Sequence, residues 1–237
     1  MLERKRKGND SNELLREVRS RKRIFQRKMI KWARENLRDF PWRDENRTPY
    51  SVLVAEVLLK RTTSTAVLRV YNEFLEAYPN IRQLANADRI GLERLLLSIG
   101  YYKLRAIGLI EMADYVVKNY GGEIPASKES LLKVPHIGSY TAGAILSFGY
   151  GIPSEIVDSN VERIIRRFFH SKLPDKASLR IIQKIAKELL PSEHHEVYNW
   201  ALLDLGALVC RYDKPRHEQC PLESICDYPK LGSERIK

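Results

Sequence analysis

The chain has 237 residues, of which 43% are hydrophobic, so it can bury a core and does not have the composition of a disordered polyelectrolyte. Its net charge of +11 favours a polyanionic partner, because each phosphate that a protein neutralises releases counterions. No run of about 18 apolar residues is present, so no membrane-spanning helix and no membrane partner are predicted.

The N-terminal segment carries most of the excess charge. Residues 1–40 contain 14 Lys/Arg and 6 Asp/Glu, a net +8. Residues 1–20 are predicted to be a basic flexible tail, although Leu14 and Val18 already suit the amphipathic helix that follows. The segment lacks the apolar core of a secretory signal. We therefore expect an intracellular protein of the cytoplasm or nucleoid, where thiols stay reduced.

Beyond this segment the apolar residues recur near the helical period of 3.6 almost throughout. Helices are predicted over 50–60, 64–77, 92–99, 103–119, 127–133, 139–149, 159–169, 176–190 and 194–209. No stretch alternates as a strand does, so the predicted fold class is all-α.

Residues 131–142, LLKVPHIGSYTA, read as a helix, a Pro-His-Ile-Gly hairpin and a second helix. The first amides of the second helix have no partners within it and carry the positive end of its dipole. They are therefore suited to bind a DNA phosphate without reading sequence. His136, Ile137, Gly138 and Ser139 are the predicted DNA contacts. On this motif alone, a plain helix turn is an equally good interpretation.

A second motif lies downstream, at residues 155–163, EIVDSNVER. Asp158 precedes a helix, and locally an N-cap role is enough to explain it. Hairpin, spacer and this motif together resemble the helix-hairpin-helix-Gly-Pro-Asp glycosylases, the superfamily of endonuclease III and the adenine glycosylase MutY. The resemblance implies that Asp158 faces the anomeric carbon of the target sugar. A carboxylate is useful there because breaking a glycosidic bond builds oxocarbenium character.

The resemblance extends from about Phe40 to Cys226 and implies the two-lobed helix-hairpin-helix fold, with one lobe over residues 48–159 and the other formed by residues 21–47 together with 160–237. Residues 55–63, AEVLLKRTT, resemble the segment that carries a second catalytic carboxylate, which makes Glu56 the pocket glutamate. Its apolar neighbours would desolvate it and favour its acid form. Glu56 would then protonate the leaving base or orient water. A solvent-facing glutamate on an amphipathic helix is the alternative.

Tyr140 distinguishes among members of the superfamily. Bifunctional members that resemble endonuclease III carry lysine at this position, and its amine forms a Schiff base with the sugar. Tyrosine has no such amine, so a lysine-dependent lyase is not expected. Tyr140, with the segment after Glu56, resembles the archaeal thymine–DNA mismatch glycosylases. By that match Arg61 wedges into the gap left by the flipped nucleotide, and Lys60 is a further DNA contact.

The predicted function is therefore removal of T or U mispaired with G by hydrolysis of the N-glycosidic bond. The partner is double-stranded DNA containing a mispaired base, and a monomer is expected. A MutY-like adenine glycosylase acting on A/G or A/8-oxoguanine is the alternative, although the chain ends soon after its cysteines and leaves no room for the extra MutY domain. A non-catalytic DNA-binding module is the alternative of another class.

The C-terminal cysteines follow the spacing of the family's iron–sulfur loop, Cys-x6-Cys-x2-Cys-x5-Cys. In that frame the chain has Cys210, His217, Cys220 and Cys226, so the second position is histidine. The resemblance implies a 4Fe–4S cluster with His217 as the atypical ligand. A Cys₃His set also suits zinc, and loss of the fourth thiolate would leave the cluster labile or absent. His136 is a second departure, because the hairpin usually has glycine there.

Overall fold

The computed structural model describes residues 2–174 and 176–228, with side chains described from residue 13 onward. It divides into two compact units: the central unit, Asp39–Ile152, and the terminal unit, Met1–Arg38 with Pro153–Lys237. No strand occurs among the described residues, in line with the predicted all-α class. None of their helices combines the length and the apolarity that crossing a membrane requires.

The described residues form twelve α-helices and several shorter helical turns. The α-helices are α1 (Leu2–Asn36), α2 (Pro49–Leu58), α3 (Ser64–Leu68), α4 (Tyr71–Ala77), α5 (Ile81–Ala85), α6 (Arg89–Leu95), α7 (Tyr102–Tyr120), α8 (Lys128–Leu131), α9 (Ser139–Ala144), α10 (Ser159–Phe168), α11 (Leu179–Leu189) and α12 (His195–Leu208). Single 3₁₀ turns cover Pro41–Arg43, Leu97–Ile99, His217–Gln219 and Glu223–Ile225, and a π-helical turn covers Ile145–Gly149.

Helix α1 extends through most of the segment predicted to be a flexible tail. Leu14, Val18, Phe25 and Met29 recur at intervals of four and seven residues and are all buried in the core of the terminal unit. The Phe25 ring packs edge-on against Phe168 of α10, with 4.8 Å between ring centroids. This apolar stripe explains why residues 14–20 belong to the helix and not to the predicted tail, of which Met1 lies outside the described residues.

The boundaries of the units differ from those predicted at residues 47/48 and 159/160. The backbone N–H of Arg38 donates to the Asp204 carboxylate of α12 at 2.8 Å, which ties residue 38 to the terminal unit. The Trp42 ring packs edge-on against Tyr71 of α4, so the segment after residue 38 belongs to the central unit. At the other boundary, Asn199 of α12 donates to the Ser154 carbonyl.

Several helices of the central unit are shorter than the apolar pattern predicts. The predicted helix over 64–77 is broken between α3 and α4. Helix α5 has no counterpart among the predicted helices, although its cap is visible in the sequence: the Asn80 side chain accepts a hydrogen bond from the Gln83 N–H at 3.0 Å.

Close packing joins the helices that carry the candidate catalytic residues of the central unit. Helix α9 continues into the π-helical turn, and its last residue, Gly149, lies against the start of α2. A Cβ atom on Gly149 would lie 2.8 Å from the Cα atom of Pro49. Glycine at this position therefore allows α2 and α9 to approach closely.

The terminal unit has a similar contact between α10 and α12. A Cβ atom on Gly206 would overlap Cβ of Asn160, two residues after Asp158. Arg163 of α10 donates to the Gly206 carbonyl at 2.8 Å. The position of the Asp158 segment therefore depends on the absence of a side chain at residue 206.

We expect Gly206→Ala to lower the free energy of unfolding by about 1–3 kcal/mol, because the added methyl group overpacks the α10–α12 contact. Gly108→Ala on α7 is the matched control, since its Cβ would meet the nearest atoms at an ordinary 3.5 Å. The control should gain up to about 1 kcal/mol from helix propensity. Urea unfolding followed by circular dichroism measures both, and equal stability of the two variants would contradict this account.

Candidate active site and nucleic-acid interface

The predicted hairpin is a tight turn between α8 and α9. The Ile137 N–H donates to the Val134 carbonyl at 3.2 Å, so Pro135 and His136 are the central residues of the turn. Proline fixes a negative φ at the first of them and His136 has φ 64°, which identifies a type II turn. Ile137 is buried and anchors the turn in the core, whereas His136 is exposed.

Helix α9 begins directly after this turn. Gly138 is its N-cap residue, with extended backbone and no side-chain cap, and Ser139 opens the helix. Of the four predicted hairpin contacts, His136 and Gly138 are exposed, Ser139 is half-buried, and the Ile137 side chain points into the core. The backbone N–H groups at the start of α9 have no partners within the helix, so this exposed segment is suited to bind an anion.

The turn directly after α2 carries the two basic residues predicted to contact DNA, Lys60 and Arg61. Lys60 donates from Nζ to the His136 carbonyl at 2.6 Å, which joins this segment to the hairpin. Burial lowers the pKa of Lys60, and the Arg105 charge acts in the same direction, whereas the Glu56 carboxylate opposes the shift. Arg105 donates to the Lys60 carbonyl at 2.8 Å and also to the Val57 carbonyl. The C-terminal end of α2 is therefore fixed by a buried guanidinium group.

A cavity of about 490 Å³ lies beside this segment within the central unit. Arg61, Tyr101 and His136 line it, and each has a positive φ (53°, 48° and 64°) although none is glycine. The Arg61 guanidinium group lies 5.7 Å from the centroid of the exposed Tyr101 ring. Backbone strain of this kind is often concentrated at functional sites. Arg61 and His136 are predicted DNA contacts, whereas nothing in the sequence predicts a role for Tyr101.

Glu56 and Tyr140 both belong to the central unit. Glu56 lies in α2 and is only 6% exposed, so it does not face solvent as one of the sequence interpretations allows. Tyr140 is the second residue of α9 and is half-buried. A carboxyl group in this apolar helix is desolvated, which suits a proton donor.

Asp158 belongs to the terminal unit and is the N-cap residue of α10. One carboxylate oxygen accepts from the Val161 N–H at 2.8 Å, and the other accepts from Asn160 Nδ2 at 2.9 Å. Burial raises the pKa of the Asp158 carboxyl, while these hydrogen bonds and the Arg163 charge favour its ionised form. The N-cap interpretation is therefore correct, and the cap fixes the orientation of the carboxylate.

Two residues to which the sequence analysis assigns no role support this carboxylate. Arg163 donates to Asn160 Oδ1 at 2.7 Å and to the Cys210 carbonyl at 2.8 Å. Asn160 therefore donates to Asp158 through its amide nitrogen and accepts from Arg163 through its amide oxygen. Both residues lie in the motif around Asp158, so the spacing i+2 and i+5 after the aspartate was the available signal.

The four residues in the predicted cluster frame line one small pocket of the terminal unit: Cys210, His217, Cys220 and Cys226. Within residues 2–174 and 176–228, no three His, Cys, Asp or Glu side chains are arranged so that they could hold a metal ion. Burial raises the pKa of the Cys220 thiol and raises that of the Cys226 thiol to about 12.

Aromatic and cationic side chains surround this cysteine pocket. The His217 ring stacks on Tyr228, with 5.9 Å between centroids and an interplanar angle of 20°. The Arg167 guanidinium group lies 4.6 Å from the Tyr228 centroid and donates to Cys210 Sγ at 3.4 Å. A cation directed at sulfur stabilises a thiolate, so the donor set and its surroundings fit an anionic iron–sulfur group.

Comparisons with known proteins identify a family and several relatives to which the chain is similar. The model of the HhH-GPD superfamily of base excision DNA repair proteins matches residues 54–192. A thymine-DNA glycosylase of Aeropyrum pernix is 36% identical over 209 residues, which cover 86% of this chain and 93% of that protein. A human adenine DNA glycosylase is 34% identical, with 85% of this chain and 39% of that protein covered.

A solved structure also matches most of the chain. The structure of a thermostable thymine-DNA glycosylase has a TM-score of 0.84 and 29% sequence identity, and the match covers 90% of this chain and 98% of that one. The matched family region contains the hairpin, Glu56, Tyr140 and Asp158. The chain therefore belongs to the HhH-GPD superfamily of base excision DNA repair proteins.

Proposed function

We propose that the protein is a monofunctional DNA glycosylase that hydrolyses the N-glycosidic bond of T or U mispaired with G. The observation that carries this proposal is the similarity to the Aeropyrum pernix thymine-DNA glycosylase over nearly the full length of both chains. Tyr140, at the position where the resemblance implies lysine in bifunctional members, supports the monofunctional part. The proposed substrate is duplex DNA containing the mispair, which the protein binds as a monomer.

In the proposed reaction, the Asp158 carboxylate stabilises the positive charge that develops on the sugar as the base leaves. Its two hydrogen bonds hold both oxygens in place before the substrate binds, so little reorganisation is needed during the reaction. Partial burial strengthens this interaction, because the effective dielectric constant is lower than in water. The carboxylate remains ionised in this role and transfers no proton.

Glu56 has the complementary role of a proton donor to the leaving base or of a group that orients the attacking water. We propose that Glu56 is protonated at the start of the reaction, at a place where burial in helix α2 keeps bulk water away from it. Donation of the proton converts the departing base into a neutral leaving group. Water then adds to the sugar and releases one proton, which returns to the Glu56 carboxylate, so that the products are the free base and an abasic site.

DNA is held through the hairpin and the end of α2. The amides of Gly138 and Ser139 are proposed to bind a phosphate without reading sequence. Arg61 is proposed to fill the gap left by the flipped nucleotide, and Tyr140 to contact the extruded pyrimidine. Flipping costs a few kcal/mol and less at a mismatch, which contributes to selectivity.

Adenine glycosylase activity is the second candidate. It is favoured by the 34% identity to the human adenine DNA glycosylase over 85% of this chain. The positions proposed for Glu56 and Asp158 suit either base, because both reactions pass through an oxocarbenium-like transition state. The two candidates therefore differ in the base that is extruded and not in the chemistry of the bond that breaks.

We further propose that Cys210, His217, Cys220 and Cys226 hold a 4Fe–4S cluster, with His217 as the atypical ligand. The shared pocket and the Arg167 contact to Cys210 support this assignment. Such a cluster would have a structural role, because Cys210, His217, Cys220 and Cys226 would hold it and so fix the loop over residues 210–226 against the core of the terminal unit. Glycosidic hydrolysis requires no redox step.

We expect Asp158→Asn to lower the single-turnover rate on a T/G duplex by at least about 10²-fold, because the charge that faces the sugar is lost. Affinity for the duplex should be retained, since asparagine also accepts the N-cap hydrogen bond. Glu162→Gln on the same helix is the control, because it removes a carboxylate that pairs with Arg166. Full activity of Asp158→Asn would contradict the mechanism.

Borohydride trapping tests the monofunctional assignment. The wild-type protein should form no covalent complex with a T/G or U/G duplex, and strand breaks should appear only after alkali treatment, because Tyr140 has no amine. Tyr140→Lys should introduce a trapped complex, whereas Tyr140→Phe should not. Trapping by the wild-type protein, or strand cleavage without alkali, would show that another amine acts as a lyase.

Metal analysis of anaerobically purified protein tests the cluster. Iron and acid-labile sulfide should be present in equal amounts, and His217→Cys should lose them more slowly in air, because a fourth thiolate binds iron more firmly. His217→Ala should lose iron and also melt at a lower temperature. His170→Ala is the control, since that ring also contacts Tyr228 but lies outside the frame. Zinc without iron in the wild-type protein would overturn the assignment.

A further inference from the structure

The second central residue of the hairpin turn is in a conformation that favours glycine. A type II turn requires a positive φ at this position, and His136 has φ 64°. A side chain there is strained unless its surroundings hold it. His136 therefore needs contacts that hold its backbone at positive φ, which a glycine would not need.

Two charged side chains provide this support, Glu111 from α7 and Lys60 from the turn that follows α2. His136 Nε2 lies 2.7 Å from a carboxylate oxygen of Glu111 on α7, and the imidazole ring packs against Gly108, one turn earlier on that helix. At the other end of the residue, Lys60 Nζ donates to the His136 carbonyl at 2.6 Å. The ring and the backbone of His136 are thus both fixed within the central unit.

Glu111 is an unexpected residue to find here. Its side chain is 56% exposed, so it presents a negative charge beside the segment proposed to bind a phosphate. A carboxylate in that position repels DNA and weakens binding by simple electrostatics. A compensating role is therefore needed, and the hydrogen bond to His136 supplies one.

We propose that Glu111 is a positioning residue for DNA binding. Through the imidazole of His136 it holds the turn in its left-handed conformation, so that the amides after the turn keep their orientation toward a phosphate. This inference rests on the proposed function, in which the hairpin binds DNA. In this role Glu111 raises the affinity of the protein for DNA, although its own charge is negative.

Electrostatics and positioning predict opposite signs for the same substitution. We expect Glu111→Ala to raise the Kd for an undamaged duplex about threefold. The effect is small because an exposed charged hydrogen bond contributes little free energy. Asp114→Ala on the same helix removes an exposed carboxylate that pairs with Lys118, and it should bind as tightly as wild type or more tightly. Glu111→Gln keeps a hydrogen-bond partner for His136 and should retain wild-type affinity. Fluorescence anisotropy at low salt measures all three.

The decisive comparison is the effect of Glu111→Ala in a protein that also carries His136→Gly. Glycine takes a positive φ without support, so Glu111→Ala in His136→Gly should no longer weaken binding and should behave like Asp114→Ala. In the background that keeps His136, Glu111→Ala at saturating concentration should cleave in a single turnover at the wild-type rate. A higher concentration of this variant should be needed to reach half of that rate. A merely destabilised fold would not be rescued in this way.

Two results would overturn the inference. One is that Glu111→Ala binds as tightly as Asp114→Ala, and the other is that it weakens binding equally with His136 and with Gly at position 136. Because the duplex is undamaged, these results do not depend on glycosylase activity. Failure of the wild-type protein to cleave any mispair would instead contradict the proposed function.

Discussion

The N-cap of α10 is the interaction on which the proposed chemistry depends. Asp158 is bonded through one oxygen to the first turn of the helix and through the other to Asn160, which Arg163 holds in turn. The same group is thus a structural cap and the proposed stabiliser of a cationic sugar. Both roles require an ionised and oriented carboxylate, so they do not compete. The close α10–α12 contact at Gly206 extends this constraint into the core of the terminal unit.

In the central unit, the residues proposed to contact DNA are held in a different way. Arg61, Tyr101 and His136 line one cavity, and all three have left-handed backbone conformations. Buried or paired charges hold these segments, since Arg105 bonds to the end of α2 and Lys60 bonds to the hairpin. A pre-ordered surface of this kind loses little entropy when it binds a duplex. Strain in the free protein is therefore consistent with tight positioning in the complex.

Local signals in the sequence were sufficient for most helices, the hairpin and the cap at Asp158, because each is determined by residues within about five positions. These signals were not sufficient where contacts between residues far apart in the sequence determine the structure. Glu111 lies 25 residues before His136 in the sequence, so no local pattern connects the two residues. Tyr101 gave no signal, since a tyrosine with positive φ has no sequence signature. The cysteine frame predicted the shared pocket, but spacing alone does not determine whether iron or zinc fills it.

The most direct test of the central claim is a single-turnover assay on labelled duplexes that contain T/G, U/G, A/G or A/8-oxoguanine. Each reaction is divided into a directly analysed sample and an alkali-treated sample, so that base removal and strand cleavage are measured separately. The account predicts alkali-dependent cleavage at T/G and U/G and intact strands in the untreated samples. Cleavage only at the two adenine mispairs would contradict the proposed specificity, and cleavage of none of the four would contradict the assignment as a glycosylase.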